Sequence, residues 1–341
     1  MGCTHLLAGY HDIGQRTDNG KRLIKILKNT QYQDIMDEQR VFGRTFIPIP
    51  CGNCKGCRLA RAREWALRCM HEAELYDQNY FITLTFNDEH LNSKSELDKS
   101  DFQNFMKRLR KKFVPTMPKE IKSQGKDSID YIRWEHEHQI RFYHCGEYGD
   151  RFNRPHHHAC IFNLKLDDLV PLKRGLWTSE TIKKIWSHPK TGKSLGYHSI
   201  GEVNYDTAAY VARYITKKIN GKLAPDHYQG RQPEYTTMSR RPGIGGKWYK
   251  INGWHIHEKD QVAFKKNGRV NVVKPPKYYD RLLERVDAGR YEEIKEERRE
   301  YRLKNPSTEV QRGIKSDILD RRFKNYKRTY EDGTSDIKEQ S

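Results

Sequence analysis

The chain has 341 residues, of which 64 are Lys or Arg and 45 are Asp or Glu, giving a formal charge of +19. Hydrophobic residues make up 35% of it, so a core can form while much of the remainder must be solvated. A polyanion is the natural partner for that charge, and 20 Tyr, 12 Phe and 6 Trp among the basic residues favour stacked bases over a membrane surface. No run is apolar enough for a secretory leader or a membrane span. Seven cysteines, three of them crowded into 51–57, argue against a disulfide framework and predict a reducing, cytoplasmic setting.

Residues 1–50 are polar and show no clear period until the strand-like VFGRTFIPIP at their end. Cys51-Gly-Asn-Cys54-Lys-Gly-Cys57-Arg58 follows, then a helix-like LARAREWALRCMHEAELY. Three thiolates fall short of the four ligands of a structural zinc site. Cys69 joins Cys51, Cys54 and Cys57 as the candidate Zn²⁺ set, with His71, Cys3 or His5 as other sources of the fourth ligand. An iron–sulfur cluster and free buried thiols are the alternatives.

Tyr80 to Phe86 alternates Ile82, Leu84 and Phe86 with Phe81, Thr83 and Thr85, the pattern of a half-buried strand. Ser100-Asp-Phe-Gln103 reads as a capping box before a helix carrying Phe102, Phe105, Met106, Leu109 and Phe113. Strands are predicted at 140–146 and 156–164, forming a hairpin about the polar segment Gly149 to Pro155. A short helix is expected from Thr178 to Ser187 and a strand at 199–205. Asp206 or Thr207 then caps a helix running to about 219. Past 220 the chain is rich in Gly, Pro and Arg, and from about 284 it reads as a charged helical or disordered tail. Thr191-Gly-Lys-Ser194 imitates the end of a phosphate-binding loop, but Ser187 stands where the first glycine is required and no clear strand precedes it. ATP binding there is rejected, so a helicase would have to be supplied by another protein.

Two constellations could carry chemistry. The first is Arg154-Pro-His156-His157-His158-Ala-Cys-Ile-Phe162. Residues i and i+2 of a strand share a face, so His156 and His158 would stand roughly 6.6 Å apart at their backbones and could converge on one ion. His157 would point the other way. The second is Ala209-Tyr210-Val-Ala-Arg-Tyr214-Ile-Thr-Lys217-Lys218. On a helix, Tyr210, Tyr214 and Lys217 share a stripe with Lys218 beside it. A phenol needs such a cation and a metal-polarised phosphate before it can attack phosphorus. The same pattern also suits tyrosines half buried beside a sheet. Ser239-Arg240-Arg241-Pro-Gly243, followed by Gly245, Gly246 and Lys247, offers basic side chains and exposed backbone N–H groups for phosphate, or is simply a solvated loop.

The order of Phe81-Ile-Thr-Leu-Thr-Phe86, the histidine strand and the tyrosine–lysine helix resembles the three motifs of the HUH endonucleases, in the branch with two tyrosines. With CGNCKGCR, Gly146-Glu-Tyr-Gly149, RPHHHACIF, YVARYITKK and Met238-Ser-Arg-Arg-Pro-Gly-Ile-Gly245, residues 50–250 resemble replication-initiation proteins of gokushovirus-type Microviridae, bacteriophages with single-stranded DNA. The resemblance implies that His156 and His158 hold a divalent metal (Mg²⁺ or Mn²⁺), with Glu147 a candidate third ligand. It further implies that Tyr210 and Tyr214 are the nucleophiles and that Lys217 or Lys218 steadies the phosphate. The residue between the ligand histidines is usually bulky and apolar in that family. Here it is His157, which could take over if the strand slipped or bulged. The implied activity is nicking and rejoining of single-stranded DNA at an origin through a 5′-phosphotyrosine. Single-stranded and replicative-form DNA, with a host helicase and polymerase in the bacterial cytoplasm and no membrane, would be the partners. A non-catalytic nucleic-acid-binding protein and a metal-dependent nuclease using water are the alternatives.

The expected architecture is α+β: an antiparallel sheet of about five strands flanked by helices, these largely on one face and the catalytic site on the other. The expected division is 1–74 with the cysteine cluster, 75–222 as nuclease core, 223–283 as a basic DNA-contacting extension and 284–341 as tail.

Overall fold

The computed structural model describes residues 3–16, 22–31, 46–92, 95–149, 152–213, 224–266, 268–305 and 308–324. The chain divides into two compact units, one comprising 1–61 and 299–327, the other 62–298 and 328–341. In the first, β1 (Leu6–Arg16), β2 (Arg22–Gln31) and β3 (Phe46–Pro50) form an antiparallel sheet ordered β2-β1-β3. β3 is the end of the strand expected in VFGRTFIPIP, whose residues 41–45 lie outside the described ones. β1 and β2 show no clear period in the sequence; where their side chains are described, Ala8 is covered by Tyr10 and Leu27, while Ile24 and Ile26 are exposed. The helix α1 (Lys55–Ala73) starts in this unit and ends in the second.

The second unit follows in chain order. It contains β4 (Asn79–Thr85), α2 (Lys99–Phe113), α3 (Lys119–Ser123), α4 (Ile129–His138), β5 (Arg141–Tyr148), β6 (Pro155–Phe162), β7 (Leu169–Pro171), β8 (Trp177–Ser179), α5 (Glu180–Ile185), β9 (His198–Glu202) and α6 (Tyr205–Arg213). Then come α7 (Ala224–Tyr228), β10 (Tyr235–Met238), α8 (Gly246–Glu258), a hairpin of β11 (Val262–Lys266) and β12 (Arg269–Val273), and α9 (Lys277–Val286). The tail is helical where described, as α10 (Ala288–Lys304) and α11 (Glu309–Lys324). No described helix is long and apolar enough to cross a membrane.

The protein is α+β, with a seven-stranded antiparallel sheet ordered β10-β5-β6-β4-β9-β8-β7. About five strands were expected; of the seven, β7, β8 and β10 were not foreseen, being three or four residues each and too short to show a period. α3 and α4 were not foreseen either, since neither buries a residue and so neither carries an apolar stripe. Two caps shift. Asp98, not Ser100, caps α2 by accepting from Ser100 N at 2.7 Å. Asn204 precedes α6 and accepts from Asp206 N and Thr207 N, while the Thr207 hydroxyl accepts from Asn204 N in return.

Helices cover both faces of the sheet, which corrects the one-sided arrangement expected. On one face, Phe81, Tyr143, Cys145, Cys160 and Phe162 pack against Ala62, Ala66 and Cys69 of α1 and Ala208 to Ala212 of α6. Alanines at these contacts let both helix backbones come close to the strands. On the other face, Ile82, Leu84, Ala159, Ile161 and Ile200 meet Phe102, Phe105, Met106 and Leu109 of α2 and Ile182, Ile185 and Trp186 in and after α5. The Trp186 indole donates to the Thr85 carbonyl at 2.8 Å, satisfying its N–H inside this layer.

A buried ion pair anchors the loop after β10. Arg141 on β5 and Glu72 on α1 are paired and essentially inaccessible, with 1% and 0% of their side chains exposed. Arg141 also donates to the Pro242 carbonyl at 2.6 Å, and Glu72 accepts from Gly245 N at 2.7 Å. Both charges therefore retain further partners, as a buried pair requires.

Removing one member should strand the other charge. Arg141→Met and Glu72→Leu should each lower unfolding free energy by about 3–5 kcal/mol, and the double variant by much less than their sum, read from urea midpoints. A second expectation concerns pH. Burial beneath the sheet, with His158 and His156 nearby, pushes His157 down from 6.5 to about 3. His71 and His198 are likewise lowered by burial, to about 3 and about 4. The unfolded chain takes up protons below 6.5 that the folded chain refuses, so stability is full above that pH and is lost as pH falls toward 3. His157→Phe should flatten this slope in denaturation curves collected across that interval, whatever it does to stability at neutral pH.

Candidate active site

The site lies where the C-terminal ends of β4 and β5 meet the N-terminal end of β6. His156 stands opposite Glu147 on β5 and Thr85 on β4, and His158 opposite Cys145 and Thr83. Neither pairing contains a shift, so the slip that would have exchanged His157 for its neighbours is not present. Because partners across a ladder share a face, His156, His158 and Glu147 all project to the α6 side. His157 projects to the other side, where its Nδ1 is 3.1 Å from His144 Nε2 and its ring packs near Phe102 and Trp186. Burial also holds His144 well below the ordinary histidine range, which favours the neutral form of its ring.

His158 is fixed from two directions. Its Nδ1 is 3.0 Å from the Thr83 hydroxyl and its Nε2 2.8 Å from Glu147 Oε1, with Phe81 stacked alongside at 5.8 Å. Glu147 is fully buried and His158 nearly so. Sequence reading had placed Thr83 on the right face of its strand without giving it a role. It orients the imidazole, a function visible only once β4 and β6 are known to be neighbours. His156 is half-buried, and its ring lies over Gly149, where a Cβ would come within 2.6 Å of Cε1. The second glycine of Gly146-Glu-Tyr-Gly149 is thus the space that His156 occupies. Gly146 similarly accommodates the Tyr235 ring, 2.9 Å from where its Cβ would be. Arg154 ties the hairpin to the end of β4 by donating to the Phe86 carbonyl at 2.9 Å while pairing with Asp88.

Two imidazoles and a carboxylate on one face form a donor set suited to a divalent cation. Their atoms are less tightly gathered than the thiols of the first unit, which alone among the described residues bring all their ligand atoms within 4.8 Å of one another. Tyr210 reaches the same place from α6. Its ring meets His158 edge-on at 5.1 Å and Phe81 at 6.0 Å, and it is 5% exposed. Tyr214, Lys217 and Lys218 lie outside the described residues.

The loop read as a phosphate binder or a solvated loop divides between exposed and internal groups. Arg240 and Arg241 are exposed. The backbone N–H groups of Gly243, Gly245 and Gly246 are instead taken up internally, by the Tyr278 hydroxyl, Glu72 and the Gly243 carbonyl. Lys247 is turned inward to Gln139 at 3.2 Å and Glu135 at 3.8 Å, and burial lowers its pKa. The cysteine set also changes. Cys69 is fully buried beside Cys160 in the core against the sheet, with its thiol pushed up by burial, and Cys3 joins Cys51, Cys54 and Cys57 instead. No side-chain period could reveal that, because it depends on β1 and β3 pairing so that residues 6 and 50 are opposite each other.

Comparison with known proteins bears on this geometry. Residues 79–219, which span the sheet strands β4 to β9 and α6, match the family model described as "Replication-associated protein ORF2/G2P". The chain is 35% identical over 245 residues to "Replication-associated protein ORF2" of Spiroplasma virus 4, covering 70% of this chain and 68% of that one. It is 35% identical over 236 residues to "Replication-associated protein VP4" of Bdellovibrio phage phiMH2K, covering 68% and 66%. With "Replication-associated protein ORF4" of Chlamydia phage 1 it shares 26% over 212 residues, covering 59% and 46%. The chain thus spans about two thirds of the first two relatives and less than half of the third. No solved structure matches it significantly. The resemblance drawn from the motifs is borne out, and the chain belongs to the family of phage replication-associated proteins of the ORF2/G2P type.

Proposed function

We propose that the protein initiates rolling-circle replication by nicking and rejoining single-stranded DNA at an origin. The observation that supports this most is the meeting of Tyr210 with the His158–Glu147 pair at one end of the sheet. His156, His158 and Glu147 would hold Mg²⁺ or Mn²⁺. When bound, the ion supplies Lewis-acid polarisation of the scissile phosphate. Thr83 keeps the His158 ring in its plane, and the packing of α6 against β5 and β6 keeps the Tyr210 phenol beside it. The phenol oxygen attacks phosphorus, forming one P–O bond as the bond to the 3′ oxygen breaks. The proton lost by the phenol is balanced by the one the departing 3′ oxygen takes up. A 5′-phosphotyrosine and a free 3′-hydroxyl result, and the reverse reaction rejoins ends without ATP. Tyr214 would serve the second transfer, and Lys217 or Lys218 would steady the phosphate.

In this reading 75–222 is the nuclease core and 223–283 an extension whose Arg240 and Arg241 follow the DNA backbone. A helicase and a polymerase would come from the host, in whose cytoplasm the reaction would run.

The test uses 5′-labelled and 3′-labelled single-stranded origin oligonucleotides with Mn²⁺ or Mg²⁺, separated on a denaturing protein gel. A metal-dependent adduct retaining only the downstream label is expected, and it should vanish in the Tyr210→Phe/Tyr214→Phe double variant. Cleavage without an adduct would indicate water as nucleophile, and binding alone would indicate a non-catalytic protein. Glu147→Gln should raise the metal concentration needed for half-maximal cleavage by about 10–100-fold.

A further inference from the structure

None of the residues of the cysteine cluster is among those proposed for nicking, yet the cluster is the tightest gathering of ligand atoms among the described residues. Cys3 precedes β1, Cys51 and Cys54 follow β3, and Cys57 lies in the first turn of α1. The pairing of Leu6 with Pro50 brings the two stretches side by side. All four sulfurs then fall within 4.8 Å of one another, with Cys3 at 3.6 Å from Cys51 and 3.8 Å from Cys54. We propose that these four thiolates bind one Zn²⁺ ion, which fastens residue 3 to the 51–57 turn and stabilises the three-stranded sheet.

Three observations carry this. The first is geometric. Tetrahedral Zn–S bonds of about 2.3 Å place sulfurs roughly 3.8 Å apart, close to the spacings found. A disulfide needs about 2.05 Å, and all four cysteines are free. A multi-iron cluster would hold its thiolates farther apart than a single ion does.

The second is electrostatic. The backbone N–H of Cys51 points to the Cys3 sulfur at 3.3 Å, that of Cys54 to Cys51 at 3.3 Å, and that of Cys57 to Cys54 at 3.4 Å. Amides directed in turn at three sulfurs suit anions better than neutral thiols.

The third is the poverty of the surrounding core. Among the residues of this unit whose side-chain burial is described, the buried apolar ones are Ala8 and Leu319. A small sheet with few buried apolar side chains is helped by a covalent or metal staple. Four soft sulfur ligands and no oxygen select zinc over the hard cations suggested for the histidine site. Closing the loop from residue 3 to residue 51 adds stability to the folded form, since the unfolded chain has no such site ready-made.

The test is independent of nuclease activity. The full chain is purified under reducing conditions and its metal content measured by mass spectrometry, with release followed during titration by a mercurial reagent. About one zinc per chain is expected, freed as four thiols react. Cys3→Ser should lose most of the zinc and hasten proteolysis within residues 1–61, whereas Cys69→Ala should retain the metal. Should Cys3→Ser fail to fold, Co²⁺ exchanged into the unaltered chain should give the intense visible bands of a tetrahedral four-thiolate site. A chain that is metal-free, in which these thiols react freely with a thiol reagent, would overturn the proposal. So would stoichiometric iron, a disulfide among the four, or undiminished zinc in a folded Cys3→Ser protein.

Discussion

Everything at the candidate active site depends on the pleat of β6 and on its being paired on both sides. A strand turns alternate side chains to opposite faces, so a slip of one residue would send His157 to the α6 side and His156 and His158 to the other. β5 and β4 both hold β6 in one register, and the layers on its two faces differ sharply in character. The α2 side is buried and aromatic, with Phe102 stacked on His144 at 3.6 Å. The α6 side offers a buried carboxylate and a threonine hydroxyl. Three adjacent histidines thus acquire two different environments from the backbone alone.

The helices act on the same geometry from outside. Close approach by the alanine-lined faces of α1 and α6 leaves room for Tyr210 to meet His158 without a larger side chain between them. α1 also carries Glu72 and Arg68, through which the loop after β10 is attached. Glu72 accepts from Gly245 N, Arg68 donates to the Ile244 carbonyl at 2.9 Å, and Arg68 itself lies between the rings of Trp65 and Tyr278. The loop is therefore held by the helix that also builds the core.

What was legible in the sequence followed the length and regularity of each element. Helix α2 was readable from its apolar period and β4 from its alternation, whereas β5 and β6, buried on both faces, were readable as strand candidates flanking a polar turn. The placement of His156 and His158 on one face followed directly from that. What was not legible came from partners distant in sequence. Thr83 orients a ring 75 positions away, and the choice of Cys3 over Cys69, His71 and His5 as the fourth member of the cluster rests on contacts some 50 positions apart. Composition likewise says nothing of whether a glycine's N–H is free. The run from Ser239 to Lys247 has the residues of an anion-binding loop, yet the amides of Gly243, Gly245 and Gly246 and the Lys247 ammonium find partners within the fold.

That last feature changes what the loop can offer any polyanion. With the amides of Gly243, Gly245 and Gly246 committed internally, these three glycines do not contribute directional backbone hydrogen bonds to a phosphate cradle. What it presents is the guanidinium charge of Arg240 and Arg241 on a backbone that does not have to be ordered on contact. An attraction of that kind arises largely from the release of condensed counterions. It is indifferent to base sequence and fades steeply as salt is added. Charge of this kind would not by itself distinguish one nucleic-acid sequence from another.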